Sequence, residues 1–259
     1  MKLSTVLLAV NDNRDYYEFA PFVHRAWTSL FPGIRCIIIF IGKQTPECLQ
    51  ELEKTKSLIR FPPIPNMHTA QTAQLARLLF PALCPNDGAV IISDIDLIPM
   101  CRWYYENAIQ ACHESQLVVF RGNIFAPHTG YPLCFYAAHP SVWAKIFNIK
   151  SVADIETKLK QWKTPNYALK KSNWYNDQLI LARKVHMLQK NHPESIEVFY
   201  DKHLGFRRLC RSEFDEITPE ILEKIKNQQY TDYHCKRPFK QYETLNNEIL
   251  EKMLDNNNR

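Results

Sequence analysis

Short β-branched runs alternate with longer stretches of helical spacing through the first hundred residues, the pattern of an α/β domain with a largely parallel sheet. The spacing predicts a strand over 5–10, a helix over 16–31 where aromatic and aliphatic residues recur at three and four, and a second strand over 34–41. A helix over 46–56 opens with Thr45 as its cap, and a short third strand over 58–61 stops at Pro62-Pro63. An apolar-faced helix over 69–83 then leads into a fourth strand over 89–93.

Beyond residue 100 the rhythm loosens. The pattern predicts a helix over 103–112, strands over 117–120 and 133–137, a helix over 142–147, a charged stretch over 154–163 and a helix over 175–188. A strand over 196–200 precedes a basic, aromatic segment, helices over 219–227 and 242–254, and a frayed tail over 255–259. No repeat or low-complexity linker marks a boundary. One domain is expected, with a first half over 1–100, a second half over 101–240 and a C-terminal helix and tail over 241–259.

Bulk numbers narrow the picture only a little. With 259 residues and 46% hydrophobic content the chain is long and apolar enough for one compact body. A net charge of +5 is too mild to imply nucleic acid. The apolar start stops at Asn11-Asp12-Asn13-Arg14 without a signal-peptide cleavage site, and the other long apolar run, 36–41, is far short of the roughly 18 residues a membrane helix needs. Eight cysteines contain no C-x-x-C pair, and Cys36, Cys84 and Cys134 sit in apolar segments, so reduced thiols in a soluble, cytoplasmic chain are expected.

The most informative segment is Gly88-Ala89-Val90-Ile91-Ile92-Ser93-Asp94-Ile95-Asp96-Leu97-Ile98-Pro99. Ligands of open α/β sheets bind at the carboxyl ends of the strands, so acids placed where an apolar run stops stand where chemistry happens. Residues two apart in extended chain point to the same side, so Asp94 and Asp96 can converge on one cation while Ile95 faces the core. Two neighbouring anions repel unless a positive group lies between them, and carboxylate oxygens favour Mg²⁺ or Mn²⁺. The bland alternative is a turn cap at Asp94 and a solvated Asp96.

Here the chain resembles the GT-A-fold glycosyltransferases, which carry a D-x-D motif at the end of the fourth strand of a nucleotide-binding half. The resemblance covers residues 4–100 in order of elements and 117–239 more weakly, and is to the small virus-encoded and bacterial members. It implies a Rossmann-like, mostly parallel sheet with helices on both faces and a mixed acceptor-side half. It also implies transfer from a nucleotide-diphospho-sugar, a UDP-sugar ahead of a GDP- or dTDP-sugar, to a glycan or other hydroxyl acceptor. In the family the first Asp meets ribose or metal and the last coordinates the metal that bridges the phosphates, roles the match carries to Asp94 and Asp96.

Further candidates follow from the same likeness. Val10, Asn11 and Asp12, past strand one, fall where the family contacts base and ribose, although Asn and Asp after a strand also serve simply as turn residues. Arg77 stands alone on an apolar helix; a buried Arg needs a partner, here Asp94 or the donor, unless it snorkels to water. In Asn173-Trp174-Tyr175-Asn176-Asp177-Gln178 the alternatives are a helix cap and, by analogy with N-D-Q segments of the family, an acceptor site with Asp177 as general base of an inverting reaction. Among the late basic residues, His234 as third metal ligand followed by Lys236 and Arg237 for phosphate fits the family order better than His203 does, without the family's spacing glycines. The turn-rich loop 125–132 is a candidate contact for sugar or acceptor.

Competing classes fit less well. A dehalogenase-type phosphatase uses D-x-D after its first strand, and a nucleotidyltransferase needs a Gly-rich loop that Asn11-Asp12-Asn13-Arg14 does not supply. A non-catalytic carbohydrate- or nucleotide-binding protein on the same scaffold has no need of both aspartates.

Overall fold

A computed structural model describes residues 1–122, 132, 134–165, 167, 174–201 and 205–257. The first half runs β1 (Leu3–Asn11), α1 (Arg14–Tyr17), α2 (Ala20–Leu30), β2 (Arg35–Ile41), α3 (Gln50–Lys54), β3 (Leu58–Phe61), α4 (Thr69–Leu79) and β4 (Ala89–Ile92). The second half adds β5 (Leu97–Pro99), α5 (Arg102–Gln110), β6 (Leu117–Val119), β7 (Tyr136–Ala138), α6 (Pro140–Phe147), α7 (Val152–Gln161) and α8 (Asn176–Asn191). It ends with β8 (Ile196–Val198), β9 (Arg207–Cys210), α9 (Pro219–Lys226), β10 (Tyr230–His234) and α10 (Glu243–Asn257).

Among the described residues these strands form two sheets. The larger has the order β3-β2-β1-β4-β7-β6-β8, with β3, β2, β1 and β4 mutually parallel and β7 antiparallel to both neighbours. Alternation along β1 feeds both of its faces. Val6, Leu8 and Val10 join Phe22, Val23 and Trp27 of α2, whereas Leu7 joins Leu75, Leu78 and Leu79 of α4 and Trp143 of α6. Each fully buried side chain of this size contributes roughly 1.5–3 kcal/mol. Two apolar layers therefore hold the sheet rigid, and its carboxyl edge with it.

Several local expectations are corrected. The helix expected over 16–31 is two, α1 and α2, because Pro21 in the first turn of α2 has no N–H to continue a single helix. Thr45 does not cap: a 3₁₀ turn over Glu47–Leu49 precedes α3, Pro46 stands at its start, and the Thr45 hydroxyl is buried without a partner. The helix expected to reach residue 83 ends as α4 at Leu79 and continues as a 3₁₀ turn, Phe80–Leu83, that contains Pro81. The charged stretch over 154–163 is largely α7, capped by Ser151 and held down by Ile155 and Leu159 one turn apart. The tail is helical through Asn257. Residue 133 and the loop 125–132, save Pro132, lie outside the described residues.

The smaller sheet, β5-β10-β9, was not legible in advance. β10 runs parallel to β9 and antiparallel to β5, the second pairing joining residues more than a hundred positions apart. None of the described helices is long and apolar enough to cross a membrane.

Candidate active site

β1 ends at Asn11 and β4 at Ile92, and a cavity of about 680 Å³ opens beyond these carboxyl ends. Ala9, Val10 and Asn11 line it from β1, Arg77 from α4, Asp94 and Asp96 from the segment after β4, Asp177 from α8, and His234 from β10. Arg237 also lines it. Sequence-separated candidates thus meet in one hollow.

The two aspartates do not sit on extended chain. Residues 95–96 form a turn, closed by the Leu97 N–H on the Asp94 carbonyl (3.3 Å) and tied to β10 by the Cys235 N–H on the Asp96 carbonyl (2.9 Å). Ile95 is buried in the core, Asp94 is 36% exposed and Asp96 only 10%. The turn sends each carboxylate to its own cation, Asp94 to Arg77 and Asp96 to Arg211.

Arg77 is buried and bridges two acids. It pairs with Asp94, donates from Nη1 to the Ser93 carbonyl (3.3 Å), and reaches Asp177 Oδ2 with Nη2 (3.2 Å); its Nε has no partner. Burial pushes the Asp177 carboxyl up to about 6, against the pull of Arg77 and of the Gln178 N–H that donates to it at 2.8 Å. The residue before α8's first turn, Tyr175, makes no side-chain cap, so Asp177 stands inside the helix rather than capping it. Asn173 lies outside the described residues.

Asp96 behaves in the opposite way. Burial raises its pKa, yet His234 and Arg211 outweigh burial and hold the carboxyl well below the usual carboxylate range. Its Oδ2 accepts from Arg211 Nη1 (2.8 Å) and lies 3.2 Å from His234 Nε2. β10 delivers that imidazole because Asp232, two residues earlier on the same side of the strand, is buried between Arg121 (3.0 Å) and Arg208. Asp201, which accepts from the Tyr104 hydroxyl, completes this cluster beneath the site.

The remaining candidates divide. Asp12 is not among the lining residues; its Oδ1 accepts from Thr69 Oγ1 (2.8 Å), which itself accepts from Asn11 Nδ2 (3.1 Å). Lys236 does not line the cavity either: its ammonium meets Asp215 (2.7 Å) and lies over the Phe214 ring (5.3 Å). Arg237 donates to the Tyr16 hydroxyl (2.8 Å) and lies over that ring, which neighbours Trp174 at 6.3 Å between centroids. His203 lies outside the described residues. Sequence reasoning missed Arg211, which follows the unpredicted strand β9, and Tyr16, which read as part of a helix; Trp174 lay in the segment 173–178 but was given no role of its own.

Two carboxylates and an imidazole facing one cavity are a donor set that suits Mg²⁺ or Mn²⁺. Among the described residues, however, no group of three or more His, Cys, Asp or Glu is gathered as a metal site. Arginines hold both carboxylates, so a cation that binds here takes them from guanidinium partners.

No family model matches the chain, and no curated protein matches it in sequence. Among solved structures the chain is similar to the glycosyltransferase GlyE of Streptococcus pneumoniae TIGR4, with a TM-score of 0.54 and 15% identity over 98% of this chain and 61% of that one. It is also similar to the galactosyltransferase LgtC in complex with donor and acceptor sugar analogues, with a TM-score of 0.49 and 9% identity over 95% of each chain. The glucosyl-3-phosphoglycerate synthase of Mycobacterium tuberculosis, solved with Mn²⁺ and UDP, gives 0.43 and 12% over 98% of this chain and 80% of that one. The chain spans about three-fifths of the pneumococcal transferase's length, and its fold is the GT-A fold.

Proposed function

We propose that this chain, as a single GT-A domain, transfers a sugar from a nucleotide-diphospho-sugar to an acceptor hydroxyl with Mn²⁺ or Mg²⁺ held by Asp94, Asp96 and His234. The observation that carries the reading is the convergence of Asn11, Arg77, both aspartates, Asp177 and His234 on one cavity at the carboxyl ends of β1 and β4. When bound, the cation supplies Lewis-acid neutralisation of charge on the departing nucleoside diphosphate.

The chain's own groups do the rest. Val10 and Asn11 contact the base and ribose, with Asp12 and Thr69 fixing the Asn11 amide. Arg237, which lines the cavity, meets the diphosphate; a UDP-sugar is the favoured donor. Lys236, close to Arg237 in sequence, reaches the diphosphate only by leaving Asp215. Asp177 accepts the proton of the acceptor hydroxyl: a carboxyl raised to about 6 is largely ionised at neutral pH yet more basic than an ordinary aspartate. Arg77 holds that carboxylate and Asp94 apart by occupying the space between them.

The test is a thermal-shift panel of UDP-, GDP- and dTDP-sugars with and without Mn²⁺, followed by hydrolysis or transfer assays on the wild type and Asp96→Ala. A selective, Mn²⁺-dependent rise in melting temperature and loss of turnover in Asp96→Ala are expected. Absence of any shift across the panel ends the proposal.

A further inference from the structure

Arg211 has no part in the reaction as described so far, yet it makes the closest contact of Asp96, a buried acid of the cavity. It follows β9, donates from Nη1 to Asp96 Oδ2 (2.8 Å) and to the Cys235 carbonyl (3.3 Å), and lines the cavity. Asp96 Oδ2 is also the oxygen that His234 Nε2 approaches at 3.2 Å. A divalent ion between Asp96 and His234 would share the Asp96 carboxylate with the guanidinium, which holds the oxygen nearest the imidazole. The two cations repel each other and compete for one carboxylate's charge.

The surroundings decide which partner yields. Asp96 is only 10% exposed and its backbone is tied to β10, whereas the Arg211 side chain is 21% exposed and borders open cavity. The neighbouring cations are differently occupied: Arg77 by Asp94 and Asp177, Lys236 by Asp215. A guanidinium released beside a nucleoside diphosphate has a planar, two-pronged donor face that matches phosphate oxygens. A diphosphate also carries more negative charge than one divalent ion cancels.

We propose that Arg211 is a latch with two positions, on Asp96 when no cation is bound and on the diphosphate of a metal-bound nucleotide once the cation has taken Asp96. The inference rests on reading the cavity as a metal–nucleotide site. It gives Arg211 opposite effects on two ligands. The latch weakens binding of the metal alone, strengthens binding of nucleotide in the presence of metal, and so contributes to the coupling between them.

The experiment compares wild type, Arg211→Gln and Arg211→Lys. Binding of Mn²⁺ alone is followed by the electron-paramagnetic signal of the free ion, and binding of UDP at saturating Mn²⁺ by calorimetry. Arg211→Gln is expected to bind Mn²⁺ alone roughly tenfold more tightly and UDP roughly tenfold more weakly, the scale of one charge-assisted hydrogen bond. Arg211→Lys, which keeps the charge and loses the fork, falls between, and it carries the comparison if Arg211→Gln does not fold. A variant whose Mn²⁺ affinity is unchanged or weaker overturns the latch, whatever happens to UDP. So does one whose UDP affinity is unchanged. In both cases a wild type that binds Mn²⁺ and UDP leaves the site reading standing; a wild type that binds neither removes the site reading and the latch together.

Discussion

Replacing Arg77 by methionine keeps a long apolar stem and takes one positive charge from between two carboxylates. Asp94, 36% exposed, can turn to water, but Asp177, at 4%, cannot, so the cost falls on Asp177. Removing one partner of a buried pair costs about 3–5 kcal/mol, unless the stranded acid limits the loss by taking a proton. In the wild type, Asp177 titrates at about 6 instead of its ordinary 3.8, because burial outweighs Arg77. An acid raised in the folded state binds its proton more tightly there than in the unfolded chain. Its destabilising contribution therefore grows as pH rises from 3.8 to about 6, is level above that, and is relieved on acidification. Without Arg77 the folded-state value climbs further, so the variant goes on losing up to about 1.4 kcal/mol per pH unit above the wild-type titration, where the wild type loses nothing more through this group. Urea unfolding of the wild type, Arg77→Met and Arg77→Met with Asp177→Asn, at about pH 5, 6.5 and 8, reads this directly. The penalty is expected to be smallest at the acid end, to reach roughly 3–5 kcal/mol at the alkaline end, and to lose its pH dependence when Asp177 is also replaced. A penalty that is flat across that range, or below about 1 kcal/mol at the alkaline end, refutes the view of Asp177 as a buried acid that depends on Arg77.

Two further outcomes follow from the same geometry. If Asp177 accepts the acceptor's proton, turnover of the wild type rises with pH through about 6, and Asp177→Asn loses most of the activity together with that acid limb; a pH–rate profile of the variant that keeps the limb assigns it elsewhere. Asp232→Asn leaves Arg208 without its carboxylate and Arg121 with only Asp201 at 3.9 Å, and is expected to cost about 3–5 kcal/mol in urea unfolding, whereas a loss within the range of a surface change shows that the cluster does not hold β10.

How much could be read in advance depends on the range of the interaction involved. The four parallel strands and α4 announced themselves because Val6, Leu7, Leu8 and Ile91, Ile92 are apolar runs whose burial needs no knowledge of partners. Asp94 and Asp96 stood out because charge directly after such a run is visible in the chain itself. The position of α7 was hidden, since only Ile155 and Leu159 mark its buried face in a segment where six residues of ten are polar, as in a solvated helix. β9 and β10 were hidden more thoroughly. Arg207, Arg208, Thr231, Asp232 and His234 have no apolar alternation, and they become strands by pairing with each other and with β5 while Arg208 and Asp232 find partners in the cluster with Arg121 and Asp201.

The sequence by itself determined the layered α/β frame and the strand end at which a charged ligand can be met, because hydrophobic period and strand termination are local properties. Which cation answers each carboxylate was decided only by tertiary structure. Arg77 to Asp94 and Asp177, Arg211 and His234 to Asp96, are pairings across 17 to 138 positions of chain, fixed when α4, α8, β9 and β10 dock at the same edge. Electrostatic energy depends on distance in space and on exclusion of water, and neither exists until the elements have packed.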